Sequence, residues 1–155
     1  PLRDVLDARP EVFNHNVETV RRLSSTIRSA ATYDRSISVL RAAVRLGEGI
    51  PVKSGMMLGL GETEAEIRET LSELRDAGVS LLTLGQYLPP TKDHHPLVRY
   101  VPPEEFDAWK AHALELGFRG VMSGPLVRSS YHALELYESA RSCPARSANS
   151  LKRRR

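Results

Sequence analysis

The sequence is poor in cysteine and has no long apolar run. Its single cysteine, Cys143, lies in the last fifteen of 155 residues, so the chain can form neither an internal disulfide nor a metal site from several cysteines of its own. No stretch approaches the roughly twenty apolar residues that a membrane-spanning helix needs, and no charged-then-apolar leader opens the chain. We therefore expect a soluble protein that neither spans nor targets a membrane.

The sequence also lacks a basic surface outside its C-terminal end. The last fifteen residues hold six Lys or Arg and no acid, which leaves 16 basic against 19 acidic residues before them. This balance is unlike that of a nucleic-acid-binding domain, and we expect no nucleic-acid partner. The same fifteen residues contain almost no large apolar side chain, so ordering them would cost more entropy than burial returns. We predict a disordered basic tail over residues 141–155.

What the sequence does contain is an alternation of strand-like and helix-like segments. Apolar spacing predicts helices over residues 2–8, 17–27, 37–44, 63–77, 102–117 and 131–140, and strands at 12–13, 51–58, 79–84 and 118–122. Thr63 and Glu66 have the spacing of a capping box at the start of one helix. The alternation predicts an α/β fold with parallel strands, part of a barrel resembling the TIM barrel.

Polar segments follow each of the four predicted strands, at residues 14–18, 59–62, 86–95 and 123–132. Because parallel β/α folds bind ligands beyond the carboxyl ends of their strands, we expect these segments to share one mouth. The Asn16 amide and the Glu18 carboxylate suit a ribose, since a carboxylate can accept hydrogen bonds from both hydroxyls of a diol. The alternative is a turn in which these residues cap a helix.

Two further features lie near the second predicted strand. Gly59 and Gly61, followed by Glu62, either let backbone amides approach a nucleotide or amino acid or serve turn geometry alone. Lys53 interrupts an apolar strand, and because an unpaired buried ammonium is costly, we expect either an anionic partner or an ammonium that reaches solvent.

The segment after the last predicted strand combines a proline-fixed turn, the guanidinium of Arg128 and the hydroxyls of Ser129 and Ser130. From these residue types alone, the simplest interpretation is a helix that is capped by one of the two serines.

Taken in order, these segments resemble lipoyl synthase from Pro10 to about His132. The resemblance is carried by Phe13-Asn14-His15-Asn16, Lys53-Ser54-Gly55, Gly59-Leu60-Gly61-Glu62-Thr63, Leu84-Gly85-Gln86-Tyr87-Leu88, Arg99-Tyr100-Val101, and Gly124-Pro125 through Arg128-Ser129-Ser130-Tyr131-His132. The sequence departs from the usual pattern at Pro89 and His95, where glutamine and leucine are common. The chain begins at Pro1 rather than at a methionine, and we expect a cysteine-bearing half to precede it.

The resemblance implies a radical S-adenosylmethionine enzyme with a partial β/α barrel and two four-iron four-sulfur ([4Fe-4S]) clusters, whose cysteine ligands lie outside this chain. By position, it implies that Ser130 is an oxygen ligand of the second cluster and that Arg128 lies beside that cluster, and we take both as catalytic candidates. The residues implied to bind S-adenosylmethionine are Asn16, Glu18, Lys53, Gly59, Gly61, Glu62 and Gln86.

The implied reaction inserts two sulfur atoms at carbons 6 and 8 of an octanoyl group on a lipoyl-domain or glycine-cleavage H-type carrier protein. The implied electron donor is ferredoxin or flavodoxin, and the implied location is the cytoplasm, or the mitochondrion in a eukaryote. We expect residues 1–123 to be part of the barrel and residues 124–140 to be an element that carries the Arg-Ser-Ser-Tyr motif. The chain alone is expected to be inactive.

Two alternatives stay open. The chain could come from another radical S-adenosylmethionine sulfurtransferase, such as a relative of biotin synthase. It could also be a non-catalytic fragment that binds a nucleoside.

Overall fold

The computed structural model of the chain describes residues 1–28, 32–129 and 135–138. In chain order the elements are α1 (Leu2–Asp7), β1 (Phe13–Asn14), α2 (Arg21–Ile27), α3 (Tyr33–Leu46), β2 (Val52–Leu58), α4 (Glu64–Asp76), β3 (Leu81–Gln86), α5 (Pro103–Glu115) and β4 (Gly120–Gly124). The strands form one parallel sheet in the order β1-β2-β3-β4. The predicted α/β fold with parallel strands is confirmed. Over the described residues, no helix has both the length and the apolar content needed to cross a membrane.

The start of α4 shows how local sequence fixes an element. The Thr63 hydroxyl accepts a hydrogen bond from the Glu66 amide, and the Glu66 carboxylate accepts one from the Thr63 amide at 2.8 Å, so the predicted capping box is confirmed. Arg22 of α2 donates to the same carboxylate at 2.6 Å. The apolar side of α4, which is Ile67, Leu71 and Leu74, is almost fully buried. Capping and burial therefore agree on where this helix lies.

Helix α2 is shorter than predicted, because it begins at Arg21 and not at Val17. The reason is Glu18, whose φ of +69° is incompatible with a right-handed helix. Its amide donates to the Gly55 carbonyl, and its carbonyl accepts from the Met57 amide, so this residue is bridged to β2 instead. Val17 is nevertheless buried. The apolar spacing therefore predicted its burial correctly but placed it wrongly in a helix.

Strands β3 and β4 each begin two residues later than predicted. The Val79 amide donates to the carbonyl of Leu74 in α4, and the Phe118 amide donates to the carbonyl of Ala113 in α5. Each donor follows a glycine with left-handed φ, which is the geometry of a Schellman motif. The apolar residue that opens each predicted strand therefore closes the preceding helix.

The two faces of the sheet are covered differently. Leu82 and Leu84 of β3 belong to the main hydrophobic core, together with Leu40 of α3, Leu71 of α4 and Phe106 of α5. The helices therefore pack on one face, which we call the outer face.

The opposite face, which we call the inner face, carries several glycines. Its rows run from Gly55 to Thr83 to Met122 and from Met57 to Gly85 to Gly124 in the strand register. Because these positions carry few bulky side chains, the inner face has room for another segment of backbone.

The described residues after β4, which are 125–129 and 135–138, lie against the inner face, and we call them the fold-back segment. A Cβ atom on Gly85 would lie closer than 3.0 Å to the carbonyl oxygen of Val127, and one on Gly120 would lie 2.8 Å from a methyl carbon of Leu136. Leu136 packs with Leu81 in a small apolar cluster that is separate from the main core. The inner-face glycines thus leave room for the fold-back segment.

Candidate functional site

A cavity with about 550 Å³ of empty volume opens at the carboxyl ends of the strands. Its lining comes from β2, from β3 and from the segments that follow β1, β3 and β4, and comprises Asn16, Glu18, Gly55, Met56, Met57, Thr83, Gly85, Gln86, Leu88, Val127, Arg128 and Ser129. Three of the four polar segments that we expected to share a mouth contribute to it, and residues 59–62 do not.

Asn16 presents a fixed acceptor at this cavity. Its side-chain oxygen Oδ1 is buried and has no hydrogen-bond partner among the described residues. Arg28 donates to the Asn16 backbone carbonyl at 3.0 Å and so holds the residue in place. A Cβ atom on Gly55 would lie 3.2 Å from Oδ1 and would clash with the Thr83 hydroxyl. Since buried polar atoms are normally paired, Asn16 Oδ1 is suited to a ligand donor.

Glu18 presents a carboxylate beside Asn16. In the described part of the chain, this half-buried carboxylate makes neither a side-chain hydrogen bond nor an ion pair. Its left-handed backbone costs roughly 1–3 kcal/mol in a residue other than glycine, and such strain is frequent at functional sites. Glu18 also borders a second cavity of about 880 Å³, which it shares with Tyr87 and His94. The carboxylate can therefore accept hydrogen bonds from hydroxyl groups in either cavity.

The turn at residues 59–62 uses its polar groups internally. Glu62 is only 8% exposed, and its carboxylate accepts hydrogen bonds from the amides of Gly59 at 2.7 Å and Leu60 at 2.9 Å. The Gly59 carbonyl accepts from the Val98 amide, and the Gly61 carbonyl accepts from an arginine of α2. Both glycines have left-handed φ, so the turn needs them for its geometry. This geometry favours a structural role over a ligand contact.

Gln86 lines the cavity and also ties a loop to β3. Its amide nitrogen donates to the carbonyls of Leu58 at 3.2 Å, Tyr87 at 3.0 Å and Arg99 at 3.2 Å. Its amide oxygen accepts from the Val101 amide at 2.8 Å. The side chain is 5% exposed, so most of its hydrogen-bonding capacity is spent inside the protein.

Lys53 does not have the environment that the sequence predicted. Its side chain is 4% exposed, and the ammonium donates a hydrogen bond to the backbone carbonyl of Ser129. The expectation of an anionic partner or of a solvent-exposed ammonium was therefore wrong, because the fold-back segment supplies a neutral acceptor. Burial lowers the pKa of Lys53. Lys53 is absent from the lining of the cavity.

Arg128 is exposed at the cavity wall, where its guanidinium donates to the Val127 carbonyl at 2.9 Å. Ser130 lies outside the described residues, as do most of the predicted helix at 131–140 and all of the tail at 141–155. Over the described residues, no group of three or more His, Cys, Asp or Glu side chains is placed to hold a metal ion.

Sequence reasoning missed Thr83 and Met57 as lining residues of the cavity. Both belong to the inner-face rows, in which every second residue of β2 and β3 points to the same side. Glycines inside apolar strands were the available signal, because a glycine there often marks the close approach of a ligand or of another backbone.

The parallel sheet, its helix-covered outer face and the cavity at its carboxyl edge define an α/β protein that is built like part of a β/α barrel and has a candidate ligand site at the strand ends. No family model matches the chain. Curated relatives do match it. It is 55% identical over 140 residues to the lipoyl synthase of Rubrobacter xylanophilus, and this covers 90% of the chain and 44% of the relative.

Two further relatives agree. The chain is 57% identical over 134 residues to lipoyl synthase 2 of Thermosynechococcus vestitus, covering 86% of the chain and 46% of that protein. It is 51% identical over 140 residues to the lipoyl synthase of Bacillus mycoides, covering 90% of the chain and 47% of that protein. The chain therefore belongs to the lipoyl synthase family. It spans a little under half the length of these relatives and represents their C-terminal part.

Proposed function

We propose that this chain supplies the later strands and the C-terminal element of a lipoyl synthase, the enzyme that inserts two sulfur atoms at carbons 6 and 8 of a protein-bound octanoyl group. Identities of 51–57% over most of the chain support lipoyl synthase over a relative of biotin synthase and over a non-catalytic nucleoside-binding fragment. The structural observation that carries the proposal is a pair of side-chain acceptors, Asn16 and Glu18, that line the cavity and have no partner among the described residues.

The residues of the cavity fit S-adenosylmethionine. This ligand offers a ribose diol and amino groups as donors, which match the oxygens of Asn16 and Glu18. Met57 and Leu88 add apolar wall for the nucleobase, and Gly55 contributes backbone to the cavity wall without a side chain. When bound next to the two [4Fe-4S] clusters, S-adenosylmethionine supplies the radical chemistry that activates unreactive carbon-hydrogen bonds. Asn16 and Glu18 orient the ligand, and the fold-back segment shields it from water.

The cluster ligands are proposed to lie mostly outside this chain. Ser130 is the proposed exception, as an oxygen ligand of the second cluster with Arg128 beside it. An oxygen is a poorer match than a thiolate for a cluster iron, so it should leave more readily when that cluster gives up sulfur. Of the remaining candidates, Gln86, Glu62 and the two turn glycines are proposed to shape the site by fixing the segments around it.

The proposed protein substrate is an octanoylated lipoyl domain or H-type carrier, and the proposed electron donor is ferredoxin or flavodoxin. We propose a cytoplasmic location, or a mitochondrial one in a eukaryote.

The experiment uses a complete polypeptide, in which the N-terminal part of the Rubrobacter xylanophilus relative precedes Pro1. After reconstitution with iron and sulfide, it is given S-adenosylmethionine, a reductant and an octanoylated lipoyl domain. Mass spectrometry follows the lipoyl product and 5′-deoxyadenosine. We expect Glu18→Gln to raise the KM for S-adenosylmethionine about tenfold, since it weakens hydrogen bonds from the ligand to a charged acceptor.

Glu48→Gln is the matched control. Glu48 is also a glutamate with positive φ, but it is exposed, precedes the amino end of β2 and does not line the cavity. It should leave the KM unchanged. Absence of lipoyl product from the unsubstituted protein with both clusters loaded would refute the proposed activity, and equal KM values for the two variants would refute the role of Glu18.

A further inference from the structure

Lys53 connects the sheet to the segment that follows β4. It is the second residue of β2, in register with Asn14 of β1 and Leu81 of β3. Its side chain belongs to the inner-face row that runs from Asn14 through Lys53 and Leu81 to Gly120. Its ammonium donates a hydrogen bond to the Ser129 carbonyl, 76 residues away in sequence. The contact therefore joins two parts of the chain that share no strand pairing.

This hydrogen bond is the main polar tie between the sheet and residues 125–129. The other hydrogen bonds that the described residues give this segment, from the Val127 amide to the Gly124 carbonyl and from the Arg128 guanidinium to the Val127 carbonyl, stay local. A hydrogen bond with a charged donor is roughly twice as strong as a neutral one, and it gains further in a buried site. Since burial of an ammonium is costly, a lysine that is only 4% exposed needs a compensating contact, and the Ser129 carbonyl supplies it.

The peptide group carries this restraint to the next residue. The Ser129 carbonyl oxygen and the Ser130 nitrogen lie in the plane of one peptide group. Fixing that oxygen therefore limits the orientation of the plane and with it the directions in which the chain can continue. Glycine at position 85 acts in the same sense, because it lets the Val127 carbonyl come close to β3.

We propose that Lys53 is a positioning residue that fixes the Ser129 carbonyl on the inner face and thereby sets the place of Ser130. It would act through the backbone and would not contact S-adenosylmethionine. Its consequence for sulfur insertion rests on the proposed function, in which Ser130 binds the second cluster. The anchoring itself does not depend on that reaction.

The test compares Lys53→Met with Lys110→Met in the complete polypeptide described above. Lys110 is an exposed lysine of α5, so its substitution removes the same charge without touching the inner face. In the iron-free protein, we expect Lys53→Met to speed amide hydrogen exchange of residues 126–129 at least tenfold, while peptides from β2 and β3 stay protected. Lys53→Arg, which keeps a cationic donor, should restore part of that protection.

The cluster-loaded protein gives the second readout. Lys53→Met should lower the ratio of lipoyl product to 5′-deoxyadenosine at least tenfold and change the paramagnetic resonance signal of the second cluster, whereas Lys110→Met changes neither. If Lys53→Met does not fold, Lys53→Gln, which keeps a shorter donor, is measured in its place with the same expectations.

Unchanged exchange of residues 126–129 would overturn the anchoring. Faster exchange together with an unchanged product ratio and an unchanged cluster signal would overturn the positioning role. If even the unsubstituted protein forms no lipoyl product, the proposed function fails, and the exchange data alone then decide whether Lys53 anchors the segment.

Discussion

Gly85 offers the sharpest test of the packing on the inner face. In Gly85→Ala, the added methyl group would lie closer than 3.0 Å to the backbone carbonyl of Val127, and a backbone atom cannot rotate away as a flexible side chain can. Overpacking of this kind costs about 1–3 kcal/mol. Loss of glycine entropy in the unfolded chain returns about 0.4–1 kcal/mol. Detaching the segment instead would expose Val127 and Leu136, at about 1.5–3 kcal/mol each. A strained but attached segment, with a net loss of about 1–2 kcal/mol, is therefore expected.

Gly124→Ala is the matched control, because Gly124 is the register partner of Gly85 on β4. A Cβ atom there would meet a methyl carbon of Val127 at 3.5 Å, which is ordinary van der Waals contact. We expect its stability to stay within about 0.5 kcal/mol of the parent. Urea unfolding of both variants measures the difference. In a thermal melt, the melting temperature of Gly85→Ala should be lower than that of the parent by roughly 2–4 °C for each kcal/mol of stability lost.

Equal stability of the two alanine variants would refute the reasoning, because it would mean that nothing contacts β3 at Gly85. A loss beyond about 6 kcal/mol would also contradict it, because that exceeds the cost of detaching Val127 and Leu136 and the sheet itself would have to be disturbed.

Two further predictions concern the contacts that frame the site. Hydrogen bonds from Arg22 and from the Thr63 amide lower the pKa of Glu66 to about 2. Glu66→Gln should therefore lower the free energy of unfolding by about 1 kcal/mol at pH 7. This difference from the parent should disappear as the pH falls from about 4.5 toward 2, because the parent carboxylate becomes protonated and neutral like the glutamine amide. A difference in urea midpoint that is independent of pH would contradict this. Gln86→Leu should lose about 2–4 kcal/mol in the same assay, because it leaves buried backbone groups such as the Val101 amide unpaired, and a loss below 0.5 kcal/mol would show that water replaces the side chain.

Sequence predicted well wherever the determinants are local. The capping box of Thr63 and Glu66 lies within one helical turn, and it placed the start of α4 correctly. The parallel fold followed from the alternation of apolar patterns. The starts of β3 and β4 were placed too early because an apolar residue after a left-handed glycine serves equally well as the last contact of a helix.

The site was harder to predict, because its contacts join distant parts of the chain. Asn16 and Glu18 were identified from residue type and both line the cavity. Glu18 also delayed the start of the predicted helix from Val17 to Arg21, through a backbone pairing with β2 that no local pattern encodes. The partner of Lys53 lies 76 residues further along the chain, so it could be identified only once the segment after β4 had been placed.

In the described part of the chain, the order of the strands leaves two flanks of the sheet without a neighbour, at β1 and at β4, and the flank at β1 is the one beside Asn16 and Glu18. Over the described residues, β1 is a two-residue strand that pairs only with β2, and Asn16 and Glu18 follow directly from it. Neighbouring strands differ in direction by about 20–25°, so four of them cannot close into a cylinder. A molecule held by Asn16 and Glu18 would consequently have β2 on one side and the unpaired flank of β1 on the other. Any further protein surface that docks along that flank would complete the enclosure and could present a reactive group directly to the bound ligand.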